Sequence, residues 1–173
     1  LALWSVETNF GNYLGKMDIL SSLATLSFDK RRSEYFTNEL LVLLSLADKK
    51  IVSKEMLYGS WAGALGNFQF MPSTILNYGI DYDGDKKIDL KNSLPDSIAS
   101  AANYISKAGW KYKNTCFKEV IFTKNIDKLY FNHSARNLKK KNTSNFWNKK
   151  GILNKFNKEK IDQDGISALV LPD

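Results

Sequence analysis

The sequence contains little of the chemistry on which many enzymes depend. Its 173 residues include one cysteine, Cys116, and one histidine, His133. A single cysteine excludes an internal disulfide and a thiolate metal cluster. A single histidine leaves little room for zinc catalysis or a Ser-His-Asp triad. No apolar run approaches the roughly 20 residues of a membrane-spanning helix. Chemistry in this chain must therefore use carboxylates, hydroxyls, amides and aromatic rings.

The basic residues are unevenly distributed along the chain. Residues 1–106 contain 10 Lys and Arg against 12 Asp and Glu, whereas residues 107–160 contain 15 against 3. We interpret the second region as a solvated lysine-rich face, and the alternative is contact with an anionic partner. Nucleic acid is disfavoured as that partner, because Lys greatly outnumbers Arg and no nucleic-acid motif is present.

Apolar residues recur at helical spacing in the first part of the chain. This periodicity predicts helices around residues 3–10, 19–26, 36–47, 72–78 and 93–109. After residue 110 the pattern changes to Lys- and Asn-rich connections, with short strands predicted in 117–123 and 168–171. We therefore expect a mainly α (α+β) fold with a helical part at 1–110 and a small, basic, β-containing part at 111–173.

Glu7 is the first candidate for chemistry. On a helix it shares an apolar stripe with Leu3 and Phe10, so we expect its carboxylate to be partly buried. Burial penalises the charged form of a carboxylate, which suits a general acid that works at neutral pH. The alternative is a glutamate at the rim of the stripe that reaches water.

A glycine-rich segment, GSWAGALGNFQFMPS at residues 59–73, is the second candidate. Its small residues let the backbone and a ligand approach closely. Ser60, Gln69 and the aromatic side chains supply hydrogen bonds and flat apolar faces, the mixture that a sugar ring requires. The alternative is that small residues allow tight packing and Gln69 ties down a loop.

An acidic segment, DYDGDKKIDL at residues 81–90, matches the start of an EF-hand calcium loop. Asp81, Asp83 and Asp85 stand at positions 1, 3 and 5, and Ile88 stands at the hydrophobic position 8. This spacing predicts an EF-hand-like loop over 81–96, against the alternative of a plain acidic turn.

The loop departs from the EF-hand pattern in two places. Lys86 replaces the preferred glycine at position 6, and Asn92 replaces the bidentate glutamate at position 12. Asp96, a little further along, is the residue that we expect to close the site. Its alternative role is to cap a helix together with Ser93, three residues earlier.

Together these segments resemble the membrane-bound lytic murein transglycosylase B family, glycoside hydrolase family 103. The resemblance lies in five segments that have the order and spacing of the family: ALWSVETNFG (2–11), ILSSLATLSFDKRRSEYF (19–36), GSWAGALGNFQFMPST (59–74), DYDGDKKIDL (81–90) and SIASAANYISKAGW (97–110). After residue 110 only GISALVLPD (165–173) is similar to a family strand.

The resemblance implies a lysozyme-like fold that cleaves the MurNAc–GlcNAc bond of peptidoglycan without water and leaves 1,6-anhydro-MurNAc ends. By position, the family's catalytic glutamate falls on Glu7. The family's glycan-contacting residues fall on Ser60, Gln69 and Tyr104. Its calcium ligands fall on Asp81, Asp83, Asp85, the backbone carbonyl of Lys87, and Asp96. No cofactor is implied for the chemistry, and a structural Ca²⁺ ion is allowed.

The implied partner is a peptidoglycan glycan strand, and the implied location is the periplasm or cell envelope of a Gram-negative bacterium. We expect a monomer that meets a membrane only through an anchor outside this chain. The family's late Tyr/Trp-Asn motif is expected beyond residue 173, so that the second part is truncated at its C-terminal end. Phe131-Asn132 looks similar but precedes the late strand.

One glutamate is enough for this reaction, because the substrate's own N-acetyl and C6 hydroxyl groups supply the rest. Hydrolytic glycosidases usually need two carboxylates, and near Glu7 the nearest in sequence, Asp18 and Asp29, belong to other elements. Two alternatives remain: a hydrolytic muramidase, and a non-catalytic peptidoglycan-binding module.

Overall fold

The computed structural model of the chain describes residues 1–112, 115–161 and 165–171. The chain divides into two compact units, Leu1–Trp110 and Lys111–Asp173. Each unit has its own hydrophobic core. No helix in the described ranges is long and apolar enough to cross a membrane.

The first unit is helical, with one short antiparallel strand pair. Its helices are α1 (Ala2–Thr8), α2 (Ile19–Phe28), α3 (Ser33–Asp48), α4 (Pro72–Tyr78) and α5 (Leu94–Lys107), with a 3₁₀ turn at Lys54–Leu57. Strand β1 (Met17–Asp18) pairs with β2 (Tyr58–Gly59). The five helices confirm the periodicity of the sequence.

Local sequence signals mark where three of these helices begin. The Asp18 carboxylate accepts a hydrogen bond from the backbone N–H of Ser21 at the start of α2, and the Ser93 hydroxyl accepts one from Asp96 at the start of α5. Pro72 occupies the first turn of α4, where its missing N–H costs nothing.

The core of the first unit forms where α2, α3 and α4 pack together. Its side chains include Leu23, Leu43 and Ile75, all almost completely buried. One charged residue lies among them: Glu39 of α3 is 1% exposed. Its carboxylate accepts hydrogen bonds from the backbone N–H (2.8 Å) and the hydroxyl (2.6 Å) of Ser73, in the first turn of α4. Glu39 therefore ties α3 to α4.

The regular structure of the second unit is mostly short strands of two or three residues, arranged in pairs. Strand β3 (Val120–Phe122) is antiparallel to β6 (Ile152–Asn154), β4 (Phe131–Asn132) is parallel to β8 (Leu169–Val170), and β5 (Asn142–Thr143) is antiparallel to β7 (Ile166–Ser167). A 3₁₀ turn spans Lys128–Tyr130, and helix α6 spans Ser144–Lys149. Its small core contains Trp147, Ile152 and Leu169.

Strands lie in both of the segments where the alternation predicts them, as β3 and β8. Helix α6 is not predicted, because its sequence SNFWNK is too short and polar for a helical stripe. The helix forms because the Thr143 hydroxyl caps its first turn and Trp147 is buried in the core of this unit.

Candidate active site

Glu7 lies near the end of α1, and its side chain is exposed. The expectation of partial burial is therefore wrong. Thr8 is the only buried residue of α1, while Val6 is 83% exposed and Phe10 is half-exposed. The apolar stripe is therefore not the face through which this two-turn helix packs against the rest of its unit. Among the described residues, no hydrogen bond or ion pair engages the Glu7 carboxylate.

The chain turns back toward the glycine-rich segment directly after α1. Asn9, Phe10, Gly11 and Gly15 all have positive φ angles. A Cβ atom on Gly15 would lie 2.1 Å from the carbonyl oxygen of Gly59, so only glycine allows this close approach. The segment that follows Glu7 therefore packs against the backbone beside Ser60.

Ser60 stands at the start of a tight turn in the glycine-rich segment. Its Oγ accepts a hydrogen bond of 3.0 Å from the backbone N–H of Ala64. A hydroxyl that accepts one bond still has a proton to donate. Ser60 can therefore offer a donor to a sugar while it stabilises the turn.

Gln69 does tie down a loop, as the alternative interpretation has it. Its Nε2 donates to the backbone carbonyls of Leu14, at 3.3 Å, and Gly66, at 3.0 Å. Its backbone lies in the left-handed region, with φ at 50°. The side-chain oxygen has no donor among the described residues, so Gln69 keeps one acceptor for a ligand.

Tyr104 lies on α5, and its ring contacts those of Phe70, at 5.6 Å between centroids, and Tyr78, at 5.2 Å. The side chain is 39% exposed, so it is neither a core residue nor fully solvated. The described contacts place Tyr104 beside the glycine-rich segment and include none with Glu7.

Aromatic rings surround the candidate residues at different depths. Trp61 is 66% exposed and presents a flat face to solvent. Trp4 packs edge-on against Phe10 and also contacts Phe68, whereas Phe70 is buried. Exposed aromatic faces beside polar groups suit the C–H faces of sugar rings.

The acidic loop gathers three carboxylates. Ligand atoms of Asp81, Asp83 and Asp96 all lie within 4.8 Å of one another. Like charges at this spacing repel strongly unless a cation neutralises them. Their hard oxygen atoms fit Ca²⁺, which takes six to eight oxygen ligands.

Asp96 is completely buried and engages the loop with both oxygens. It accepts hydrogen bonds from the backbone N–H of Tyr82, at 2.9 Å, and of Asp89, at 3.0 Å. The helix cap at this position is Ser93, which accepts from the Asp96 backbone. The Asp96 side chain therefore closes the loop rather than capping α5.

Asp85 lies outside the group of three, and its Oδ1 accepts from the backbone N–H of Lys87 at 2.8 Å. The roles of Asp85 and of the Lys87 carbonyl as ligands remain predictions. Lys86, at the position where glycine is preferred, has a φ of 70° and donates its backbone N–H to Asp81. The loop therefore keeps the EF-hand turn with a strained residue at its bend.

Sequence reasoning missed Asp89, which anchors the end of the loop. Burial acts to raise the pKa of Asp89, but the hydrogen bonds that its carboxylate accepts from Asn92 and Lys91 outweigh burial and lower that pKa. Asp89 is therefore held as a carboxylate.

Asn67 is a second residue that sequence reasoning missed. It is buried, and it accepts hydrogen bonds from two residues of α1, Trp4 and Thr8. Its sequence signal is weak: a polar residue between Gly66 and Phe68 is also typical of an exposed turn.

The second unit offers no comparable site among its described residues. A shallow depression of about 540 Å³ contains Lys124 and Asn125 but no carboxylate. The Asn132 side chain donates a hydrogen bond to the Leu169 carbonyl and accepts one from the backbone N–H of Lys139. The first of these bonds joins β4 to β8. Cys116 is exposed. The described catalytic candidates therefore lie in the first unit.

A short helix that presents one glutamate beside a glycine-rich loop, in a helical unit with small strands, defines a lysozyme-like domain. The particular family follows from sequence: residues 1–173 match the family described as transglycosylase SLT domain, and the chain belongs to it. The lysozyme-like, mainly α fold is confirmed by its solved relatives, which are lytic transglycosylases.

Three relatives illustrate the similarity. The chain is 46% identical over 106 residues, 61% of its length, to membrane-bound lytic murein transglycosylase B of Escherichia coli. SltB3 of Pseudomonas aeruginosa, in complex with NAG-anhNAM-pentapeptide, matches 99% of the chain with a TM-score of 0.87 and 31% identity. Slt35 of Escherichia coli, in complex with calcium, matches 91% with a TM-score of 0.69 and 34% identity.

The chain spans only part of each of these relatives. It covers 29% of the E. coli transglycosylase B, 45% of SltB3 and 49% of Slt35.

Proposed function

We propose that this protein is a lytic murein transglycosylase that cleaves the β-1,4 bond between MurNAc and GlcNAc without water. The observation that carries the proposal is the exposed, unengaged carboxylate of Glu7 in a chain of the transglycosylase SLT family. A bound glycan strand would cover Glu7 and exclude water from it, so the carboxylate need not be buried in the free protein.

The reaction uses Glu7 twice. Glu7 first protonates the glycosidic oxygen, and the GlcNAc that held this oxygen leaves as an alcohol. The MurNAc N-acetyl group stabilises the cationic C1. The Glu7 carboxylate then takes the proton of the C6 hydroxyl as that oxygen bonds to C1, which closes the 1,6-anhydro ring. The internal nucleophile is entropically favoured over water.

Two further carboxylates near Glu7 in sequence have other roles. Asp18 caps α2, and Asp29 accepts a hydrogen bond from the backbone N–H of Arg31. Neither belongs to the segment that carries the candidate site. This supports a one-glutamate reaction, as does the NAG-anhNAM-pentapeptide in the complex of SltB3.

Ser60, Gln69 and Tyr104 orient the MurNAc ring in this proposal. The spare proton of Ser60 and the spare oxygen of Gln69 are complementary to the N-acetyl and hydroxyl groups of the sugar. The Ser60 and Gln69 side chains are also held in place by hydrogen bonds to the backbone of their own turns. Side chains that are fixed in this way can position a sugar precisely.

The acidic loop holds a structural Ca²⁺ ion in this proposal, and the chemistry needs no cofactor. Asp81, Asp83 and Asp96 are the carboxylate ligands that the geometry supports, and Asp85 with the Lys87 carbonyl completes the expected set. Slt35, a relative, was solved in complex with calcium. The ion would neutralise the clustered charge and stabilise the loop.

The partner of this site is a peptidoglycan glycan strand in the cell envelope of a Gram-negative bacterium. The similarity to a membrane-bound transglycosylase of E. coli and to SltB3, solved with NAG-NAM-pentapeptide, supports this location and partner. We infer a monomer whose membrane contact comes from an anchor outside this chain.

The mass of the released sugars tests the reaction. Mass spectrometry of muropeptides from purified sacculi should show ends one water lighter than hydrolysed ends. Glu7→Gln should lower their release about 10²–10⁴-fold or more, because one residue serves as acid and base. Hydrated ends would instead indicate a muramidase, and unchanged glycan binding with no product from the wild-type protein would indicate a binding module.

Variants of the sugar-positioning residues test the site. Gln69→Ala and Tyr104→Phe should each lower turnover on sacculi, by less than Glu7→Gln does, since positioning contributes less than the acid itself. Asn77→Ala, which removes an exposed amide on α4, is the control. Wild-type kinetic constants in both test variants would remove Gln69 and Tyr104 from the site.

A further inference from the structure

Among the described residues, the helix that carries Glu7 is hydrogen-bonded to distant parts of its unit through one residue. Two side chains of α1 donate hydrogen bonds beyond the turn that follows the helix, and both go to Asn67. The Trp4 Nε1 donates to the Asn67 side-chain oxygen at 3.0 Å, and the Thr8 hydroxyl donates to the Asn67 backbone carbonyl at 2.8 Å. Within the described residues, the other hydrogen bonds of α1 stay inside the helix or join it to the turn directly after it, as from the backbone N–H of Tyr13 to the Thr8 carbonyl.

The chemistry of its neighbours fixes the orientation of the Asn67 amide. The Trp4 indole can only donate, so it must face the Asn67 oxygen. The Asn67 Nδ2 faces acceptors: the carbonyls of Leu90, at 3.0 Å, and Lys91, at 3.1 Å, and the Ser97 hydroxyl, at 3.3 Å. An amide is required here, because the site needs an acceptor on one side and donors on the other.

Asn67 thereby connects α1 to the end of the acidic loop and to α5. Its backbone N–H also donates to the Leu90 carbonyl at 2.8 Å. Gly11, which follows α1, approaches so closely that a Cβ atom would lie 2.7 Å from the Asn67 side-chain oxygen. The side chain is 3% exposed, so water offers little replacement for these bonds.

We propose that Asn67 is a positioning residue that holds α1, and with it the Glu7 carboxylate, at the orientation that the reaction needs. This proposal rests on the proposed role of Glu7 as acid and base. Asn67 acts through Trp4 and Thr8, on the helix itself, and makes no contact with Glu7. A shift of about 1 Å in a catalytic group costs about 10²-fold in rate, so the orientation of α1 controls turnover.

The test compares kcat and KM of the full chain on glycan strands for the wild type, Asn67→Ala and Trp4→Phe. Asn67→Ala should lower kcat about tenfold or more and leave KM within about threefold. Trp4→Phe, which keeps the ring and removes only the indole donor, should lower kcat by less. The double variant should be no slower than Asn67→Ala alone, because both changes break the same contact.

Two measurements separate positioning from lost stability. Ser100→Ala removes a different hydrogen bond, which the backbone N–H of Ile80 donates to the fully buried Ser100 hydroxyl of α5, and should reduce thermal stability without lowering kcat. The indole N–H resonance of Trp4 in ¹H–¹⁵N NMR spectra, assigned by its absence in Trp4→Phe, should shift in Asn67→Ala and keep its position in Ser100→Ala.

Glu7→Gln, measured alongside, distinguishes failure of this inference from failure of the proposed function. If Glu7→Gln is inactive while Asn67→Ala and Trp4→Phe keep the wild-type kcat, Asn67 is not a positioning residue and the proposed function stands. An equal fall of kcat in Ser100→Ala would also overturn the inference. If Glu7→Gln is active, both proposals fail. If Asn67→Ala does not fold, Trp4→Phe alone decides, and a wild-type kcat in that variant overturns the inference.

Discussion

Helices α1 and α3 each carry a glutamate on an apolar stripe, yet the fold treats the two residues in opposite ways. Glu7 lies between Leu3 and Phe10 and is exposed, while Glu39 lies between Phe36 and Leu43 and is 1% exposed. Helix α3 packs against α2 and α4 and buries Phe36, Leu43 and Leu46. Helix α1 buries only Thr8.

The difference shows what each carboxylate remains able to do. Both oxygens of Glu39 are occupied by Ser73, and both oxygens of the buried Asp96 by backbone N–H groups. A buried charge must be satisfied in this way, because its desolvation is costly. Of these three carboxylates, Glu7 is the one that is left in water and keeps its full capacity for a substrate.

The same substitution at the two glutamates should therefore have opposite effects. Glu7→Gln should abolish turnover and leave the melting temperature within about 2 °C, since surface changes rarely alter stability by more than about 0.5 kcal/mol. Glu39→Gln should unfold earlier, because one Ser73 donor loses its acceptor, at about 1–3 kcal/mol. In a chain of this size that is about 2–4 °C per kcal/mol.

Calorimetry and product release, measured on both variants, check this pair. Glu39→Gln should retain turnover at temperatures where it is folded. A Glu39→Gln variant as stable as the wild type would show that the bonds to Ser73 contribute nothing net. A strongly destabilised Glu7→Gln variant would mean that Glu7 also has a structural role.

The acidic loop gives the comparison between Asp83 and Asp85, which are both exposed. Calcium at 100 times its Kd should add about 2.7 kcal/mol to the stability of the wild-type protein, seen as a higher melting temperature. Asp83→Asn should lose most of this gain and Asp85→Asn a smaller part of it, because Asp83 already belongs to the group of three and Asp85 does not. Melting curves with calcium and with EDTA decide; an undiminished gain in Asp85→Asn would remove Asp85 from the proposed ligands.

Substitution of Asp89 should have the smallest effect on stability, and that effect should depend on pH in the acid range. Its folded pKa lies below its ordinary value, so the unfolded chain binds the proton first as pH falls. The stability that Asp89 contributes is therefore fully present above about pH 5 and is lost as the pH falls through about 4 toward the folded pKa. Asp89→Asn should be less stable than the wild type at pH 7 and should lose less stability between pH 5 and 3.

Urea unfolding in EDTA measures the free energy of unfolding at each pH. Glu34→Gln, which removes an exposed carboxylate on α3, is the control for the loss of one charge. If the free energy of unfolding of Asp89→Asn falls with pH as steeply as that of the wild type, the role of the Asp89 hydrogen bonds is contradicted.

The sequence by itself determined the five helices of the first unit and marked the segments that hold the candidate site residues. Asp18, Ser93 and Pro72 mark helix starts through contacts with residues no more than three or four positions away. The same short range makes the EF-hand spacing and the glycine-rich segment visible in the sequence. Local patterns are readable because the interacting groups are neighbours in the chain.

Only the tertiary structure decided which polar groups are buried and which stay available. The Trp4 indole and Asn67 are 63 residues apart, and Glu39 and Ser73 are 34 apart. A stripe of apolar residues shows that a helix has a face, but burial depends on what packs against that face. For α3 two helices do so, whereas α1 is held mainly by hydrogen bonds to one asparagine. The physical reason is that desolvation is set by all the atoms around a group, and most of those atoms come from distant parts of the chain.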